Sequence, residues 1–122
     1  MTVKIEYFTD VLCVWAYLAQ IRMDELKAEF TDDVDIEYRF VPIFGAAKSG
    51  IDKNWKQQGG AAGYNSKLQS MAKDWPHISL SPDLWTSVAP ESSTSPHLYL
   101  KAIQLLTSAE RSENTAMESA TW

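Results

Sequence analysis

The 122-residue sequence reads as an α/β chain that opens with a strand–helix–strand unit and continues as a mostly helical segment. Three observations carry this reading. Val3, Ile5 and Tyr7 alternate with Lys4 and Glu6, and Phe8 closes the run, the period of two that marks a strand. From Cys13 to Phe30 the period becomes helical. Val34, Ile36, Tyr38 and Phe40 then alternate with Asp35, Glu37 and Arg39, which predicts a second strand.

Each element has its local reasons. Thr9-Asp10 breaks the first alternation. Ala16, Ala19, Met23, Leu26 and Phe30 then recur at steps of three and four, with Gln20, Lys27 and Glu29 elsewhere, and no Pro or Gly interrupts the helix. Thr31-Asp32-Asp33 supplies a turn, and Pro42 stops the second strand because proline cannot donate to a ladder. Short links in a strand–helix–strand order predict parallel strands joined by a right-handed crossover.

Beyond Gly45 the pattern is less regular. Gly50, Gly59, Gly60 and Gly63 punctuate it, and a helix is expected from Asn65 to Trp75, ended by Pro76. His77 to Pro82 reads as a short extended piece. Ser95 is expected to cap a further helix with Pro96 at its first position, and Leu98, Ala102 and Leu105 form its apolar face. Residues 1–44 thus form one unit and residues 45–122 a helical one. Two strands leave both outer edges unpaired. The expectation is a sheet whose second half is missing, either because the chain is truncated or because a second copy completes it as a homodimer.

Composition narrows the function. Hydrophobic residues make up 45% and charged residues 22%, a globular balance, and the net charge of −5 disfavours nucleic acid as a partner. No apolar run approaches membrane-spanning length, and the N-terminus has no leader pattern, so the expected location is cytoplasmic. One cysteine excludes an internal disulfide, and with two histidines it cannot assemble the usual zinc site. No tightly bound cofactor is expected.

The stretch that carries chemistry is Tyr7-Phe8-Thr9-Asp10-Val11-Leu12-Cys13-Val14-Trp15-Ala16-Tyr17-Leu18-Ala19. Cys13 falls after a strand, at the first turn of a helix. Unpaired N–H groups and the helix dipole concentrate positive potential there and favour the thiolate, the form that attacks disulfides and electrophiles. The competing reading is a small buried hydrophobe. Trp15 and Tyr17 flank the thiol and either shape a substrate groove or pack in the core. Asp10 either caps the helix or tunes the thiol, and as an anion it would oppose thiolate formation. His97 is expected to be a solvated histidine near a helix start. Gly59-Gly60-Ala61-Ala62-Gly63 follows no strand and lacks the Lys-Ser/Thr ending of a phosphate loop.

This opening resembles the active-site segment of the DsbA-like thioredoxin family, including its cytoplasmic FrnE-like members, where an aspartate precedes Cys-Pro-Trp-Cys and a tyrosine follows. It is also similar to the 2-hydroxychromene-2-carboxylate isomerases and kappa-class glutathione transferases, which often place a serine at the first cysteine. Tyr38-Arg39-Phe40-Val41-Pro42 resembles the second strand of these proteins, and Ser95-Pro96-His97-Leu98-Tyr99-Leu100-Lys101-Ala102 the start of a helix in their inserted helical domain. The resemblance implies a thioredoxin-like fold and a thiol-dependent oxidoreductase with Cys13 as nucleophile. Asp10, Trp15 and Tyr17 are then substrate-binding residues. Val14 stands where proline is usual, and Ala16 replaces the second cysteine, so an external thiol such as glutathione would resolve the mixed disulfide. Family members continue with two more strands, a helix and a cis-proline loop, and no proline here has the matching context. Two alternatives stand beside the oxidoreductase: a glutathione-dependent isomerase or transferase, and an inactive truncated remnant or binding module.

Overall fold

A computed structural model describes residues 1–121, with side chains described through Ala109. Strand β1 (Val3–Thr9), helix α1 (Val14–Glu29) and strand β2 (Val34–Phe40) form the opening unit. The strands pair in parallel and in step, Val3 opposite Val34 through Thr9 opposite Phe40. The chain is therefore α/β with a two-stranded parallel sheet, and no third strand joins it among the described residues.

The period of two gives the sheet two different faces. Ile5, Tyr7, Ile36 and Tyr38 are half-buried, and the Tyr7 and Tyr38 rings meet edge to face at 5.7 Å. Helix α1 packs here: Gln20 Nε2 donates to the Tyr38 hydroxyl at 2.9 Å, and Lys27 Nζ lies 4.8 Å from the ring centre. The other face carries Lys4, Glu6, Glu37 and Arg39 in ion pairs at 3.1 to 3.3 Å. The bond from Lys4, aided by the Arg39 charge, holds the Glu37 carboxyl below its ordinary value of 4.5. Such solvated pairs contribute little to stability. Their role is to make one face of the sheet tolerate water.

The helical segment contains α2 (Ala47–Asn54), a 3₁₀ turn (Lys56–Gln58), α3 (Gly60–Ala72), a π turn (Leu84–Val88) and α4 (Thr94–Thr121). The main apolar cluster lies here rather than under the sheet. Val14 from α1 joins Ala47 and Ile51 from α2, Leu68 from α3 and Trp85 from the π turn, with Phe44, Trp55 and Tyr64 packed around them. Tyr64 meets Trp55 and Trp85 edge to face at 5.2 and 5.5 Å. Asn65 is buried but satisfied. Its Nδ2 donates to the Pro82 carbonyl at 2.8 Å, and its Oδ1 accepts the Trp85 N–H at 3.0 Å. That one side chain fixes the π turn against α3. Helix α4 is tied to β2 by Gln104, whose amide donates to the Tyr38 carbonyl at 3.2 Å.

Three local expectations are corrected. Helix α3 begins at Gly60, not Asn65, and ends at Ala72. The glycines read as punctuation build its start. Gly59, at φ +94°, closes the 3₁₀ turn, and Gly63 lies against the Gln58 carbonyl so closely that a Cβ would overlap the oxygen. Helix α4 begins at Thr94, with the Ser92 hydroxyl accepting the Thr94 N–H at 3.1 Å, so Ser95 is not its cap. Pro96 is then the third helical residue, where its missing N–H is still one that the helix does not use. His77–Pro82 forms no strand. No helix among the described residues is long and apolar enough to cross a membrane.

Two measurements check this architecture. Gly63→Ala should destabilise the chain by about 1–3 kcal/mol because backbone must move. Gly50→Ala, in mid-α2 with open space around it, should stabilise it by up to about 1 kcal/mol. Equal effects in urea denaturation would contradict the close approach at Gly63. The sheet offers an unpaired outer edge on each strand among the described residues, a template for pairing with another chain. These 122 residues should therefore sediment as a dimer or larger species at micromolar concentration, and a cooperatively unfolding monomer would oppose that expectation.

Candidate functional site

Four residues, Asp10 to Cys13, connect β1 to α1. Their backbone donors beyond Asp10 are all engaged. The Val11 N–H donates to His97 Nε2 at 3.1 Å, the Leu12 N–H to Asp10 Oδ1 at 2.9 Å, and the Cys13 N–H to the Asp10 carbonyl at 3.0 Å. A connection with its donors so engaged has little freedom to rearrange. Cys13 is thereby held as the residue that caps α1, in extended conformation.

Asp10 anchors this connection from below. It is 1% exposed. Besides the Leu12 N–H, its carboxylate accepts the Phe44 N–H at 2.9 Å and the Ser93 hydroxyl at 2.8 Å, both on Oδ2. Three chain segments therefore converge on one side chain: the β1–α1 connection, the β2–α2 connection and the residue before α4. Asp10 does not cap α1, because Cys13 occupies that position and makes no side-chain capping bond.

His97 is corrected outright. It is 7% exposed rather than solvated, its ring stacked on Phe40 with centroids 5.1 Å apart. Its Nε2 faces two groups, the Val11 N–H at 3.1 Å and Asp10 Oδ1 at 3.4 Å. One nitrogen cannot accept from the first and donate to the second. The Val11 contact is shorter, so Nε2 is the acceptor and the ring proton sits on Nδ1. Nδ1 has no partner among the described residues, and a buried donor left unmade costs about 1–3 kcal/mol.

The thiol itself is free and half-buried. Val14, Trp15 and Ala16 are the first three helical residues, and no carbonyl of the helix lies in position to accept their N–H groups; the first intrahelical donor after them is Tyr17, to the Cys13 carbonyl at 3.1 Å. These open donors surround the position from which a capping atom accepts. A thiol is a weak acceptor there and a thiolate a strong one. Beside Cys13 lies a cavity of about 210 Å³ lined by Leu12, Tyr17, Leu68, Leu80 and Trp85 among others. Drug-sized ligands need roughly 300–1,000 Å³, so this space fits one side chain or a small thiol fragment.

The remaining candidates are dispersed. Tyr17 lines the cavity, and its hydroxyl accepts the Ser79 N–H at 3.2 Å. Trp15 is 64% exposed and turned away from the apolar cluster. Sequence reasoning did not single out Ser93 or Tyr64. Ser93 and His97 are four apart at a helix start, spacing that places both on one face, and this was the available signal for the pair. Tyr64 carried none, because only the fold brings it near. Burial pushes its phenol above the ordinary value of 10.0, and negative charge on Cys13 adds to the shift.

A parallel βαβ unit whose helix is capped by a cysteine, held by an aspartate that follows the first strand, is the arrangement found here. No curated protein and no solved structure gives a significant match to the chain. A family model described as the DSBA-like thioredoxin domain matches residues 4–119, which takes in all of β1 but its first residue, all of β2, the Asp10–Cys13 connection and nearly all of the helical segment. The chain belongs to the DSBA-like thioredoxin domain family.

Proposed function

We propose that this protein carries out thiol–disulfide chemistry with a single nucleophilic sulfur, that of Cys13, and that a small thiol of the glutathione type completes the cycle. The observation that carries the reading is the cap position of Cys13, with open first-turn N–H groups around it and an apolar cavity of about 210 Å³ at its side. The thiolate attacks one sulfur of a disulfide, forming a mixed disulfide with Cys13 and expelling the other sulfur as a thiolate. An external thiolate then attacks the mixed disulfide, takes away the bound half as a new disulfide and restores the Cys13 thiolate. Ala16, one helical turn beyond Cys13, has no sulfur to perform that second attack. Tyr17 lines the cavity beside the thiol, Trp15 is read as an exposed substrate contact two residues beyond it, and Asp10 serves the thiol by holding the connection.

A second reading is favoured by the same Ala16. A glutathione-dependent isomerase or transferase, of the 2-hydroxychromene-2-carboxylate isomerase or kappa type, needs no second cysteine. In it Cys13 would stay reduced and orient the sulfur of bound glutathione. The resemblance of the opening segment extends to cytoplasmic FrnE-like members, and we hold that grouping as part of the proposal.

Oxidised glutathione should convert the protein to a long-lived mixed disulfide, seen by intact mass, and Cys13→Ser should abolish it. Ala16→Cys should shorten the life of the adduct by at least about tenfold, because a thiol on the same helical face attacks within the molecule. Equal lifetimes would mean that position 16 does not reach the Cys13 sulfur. Reduced glutathione that binds without forming an adduct would favour the isomerase or transferase. Neither binding nor adduct would leave an inactive remnant or binding module.

A further inference from the structure

We propose that His97 is a positioning residue for the Cys13 connection and that its protonation switches this connection between a held and a released arrangement; the link to chemistry rests on the reading of Cys13 as nucleophile. The bond from the Val11 N–H to His97 Nε2 spans 86 positions of sequence and ends two residues before the thiol. It exists only while Nε2 keeps its lone pair. A proton taken from solvent onto Nε2 turns the acceptor into a donor. Val11 then loses its partner, and the new N–H faces Asp10 Oδ1, already 3.4 Å away. That oxygen is the one that holds the Leu12 N–H. One proton thus weakens two of the three bonds that hold the connection, and Cys13 loses its place at the start of α1.

Charges from each packed element bear on the ring. Asp10, on the β1–α1 connection, faces the ring through Oδ1 at 3.4 Å. Arg39 from β2 and Lys101, one turn further along α4, border the same cavity as His97, of about 480 Å³. Arg39 is itself engaged by Glu6 and Glu37 at 3.1 Å each. The Ser93 hydroxyl stays on Asp10 Oδ2 in both arrangements, so the carboxylate remains anchored while its other oxygen changes partner. An imidazole ordinarily changes charge between pH 5 and 8, and Nδ1 makes no hydrogen bond among the described residues in the held arrangement.

The test is a nuclear magnetic resonance titration of the full chain from pH 8 to pH 5, read with Cys13 alkylation over the same range. At pH 8 the His97 nitrogen shifts should identify Nε2 as unprotonated, with the proton on Nδ1. The Val11 amide shift and the His97 ring shift should then move with one midpoint. A single thiol ionisation changes the alkylation rate by at most about tenfold per pH unit. Cys13 should fall more steeply than that through the His97 midpoint. His97→Gln, whose side-chain carbonyl accepts the Val11 N–H but does not titrate, should keep the Val11 shift and return the slope to that of one ionisation. A protonated Nε2 at pH 8, a Val11 amide that ignores the His97 titration, or an alkylation slope unchanged by His97→Gln would overturn the proposal. The wild-type titration decides the matter even where the variant fails to fold. Steep alkylation in a protein that forms no glutathione adduct would uphold the switch and sink the proposed function.

Discussion

The carboxylate of Asp10 is the interaction on which the rest of this structure depends. A two-stranded parallel sheet has little capacity to organise the helices attached to it, since β1 and β2 satisfy each other along only one side of each strand. Asp10 supplies the missing order at the end of the sheet. By accepting the Leu12 and Phe44 N–H groups and the Ser93 hydroxyl, it fixes where the chain enters α1, where it leaves β2 and where α4 begins. Burial makes this arrangement exacting, because a polar group without water must find its partners inside the protein. The apolar cluster of Val14, Ala47, Ile51, Leu68 and Trp85 forms around the frame so created.

The chemistry inherits its geometry from that frame. Cys13 caps α1 because Asp10, three residues earlier, and His97 between them engage the donors that would let the connection rearrange. Its own capping contact is left open, which gives a thiolate better hydrogen-bonding prospects than a thiol. The helical segment completes the site from the other side. Leu68, Leu80 and Trp85 wall the cavity beside the sulfur, and Tyr64 lies close enough for the Cys13 charge to act on its phenol. The segment after β2 therefore belongs to the site as much as the βαβ unit does.

Much of this was legible from residue order alone. Both strands and α1 follow from periodicities that local sterics and burial enforce, and β2 ends at Phe40, two residues short of the proline that marks its stop in the sequence. Cys13 was legible for the same reason: a cysteine between a strand and a helix has its environment set by neighbours in sequence. The features that could not be read depend on partners far away in the chain. Asp10 looked like a local cap until the fold brought Phe44 and Ser93 to it. His97 looked solvated because nothing near it in sequence shows that Phe40 stacks on its ring and Val11 donates to it. Gly59, Gly60 and Gly63 read as breaks, although they permit the turn and the close approach from which α3 starts.

The most direct measurement is the unfolding free energy of Asp10→Asn beside Ser93→Ala in urea. Asparagine can still accept the Leu12 N–H, but its amide nitrogen cannot accept from Phe44, so that buried N–H loses its acceptor, and the Ser93 hydroxyl exchanges a bond to a carboxylate for a weaker one from a neutral amide. The account predicts a loss of at least about 2 kcal/mol for Asp10→Asn and about half of that for Ser93→Ala, with Cys13 alkylation slowed in the first variant. An Asp10→Asn protein within about 0.5 kcal/mol of the parent, with unchanged Cys13 reactivity, would contradict the claim that this carboxylate organises the site.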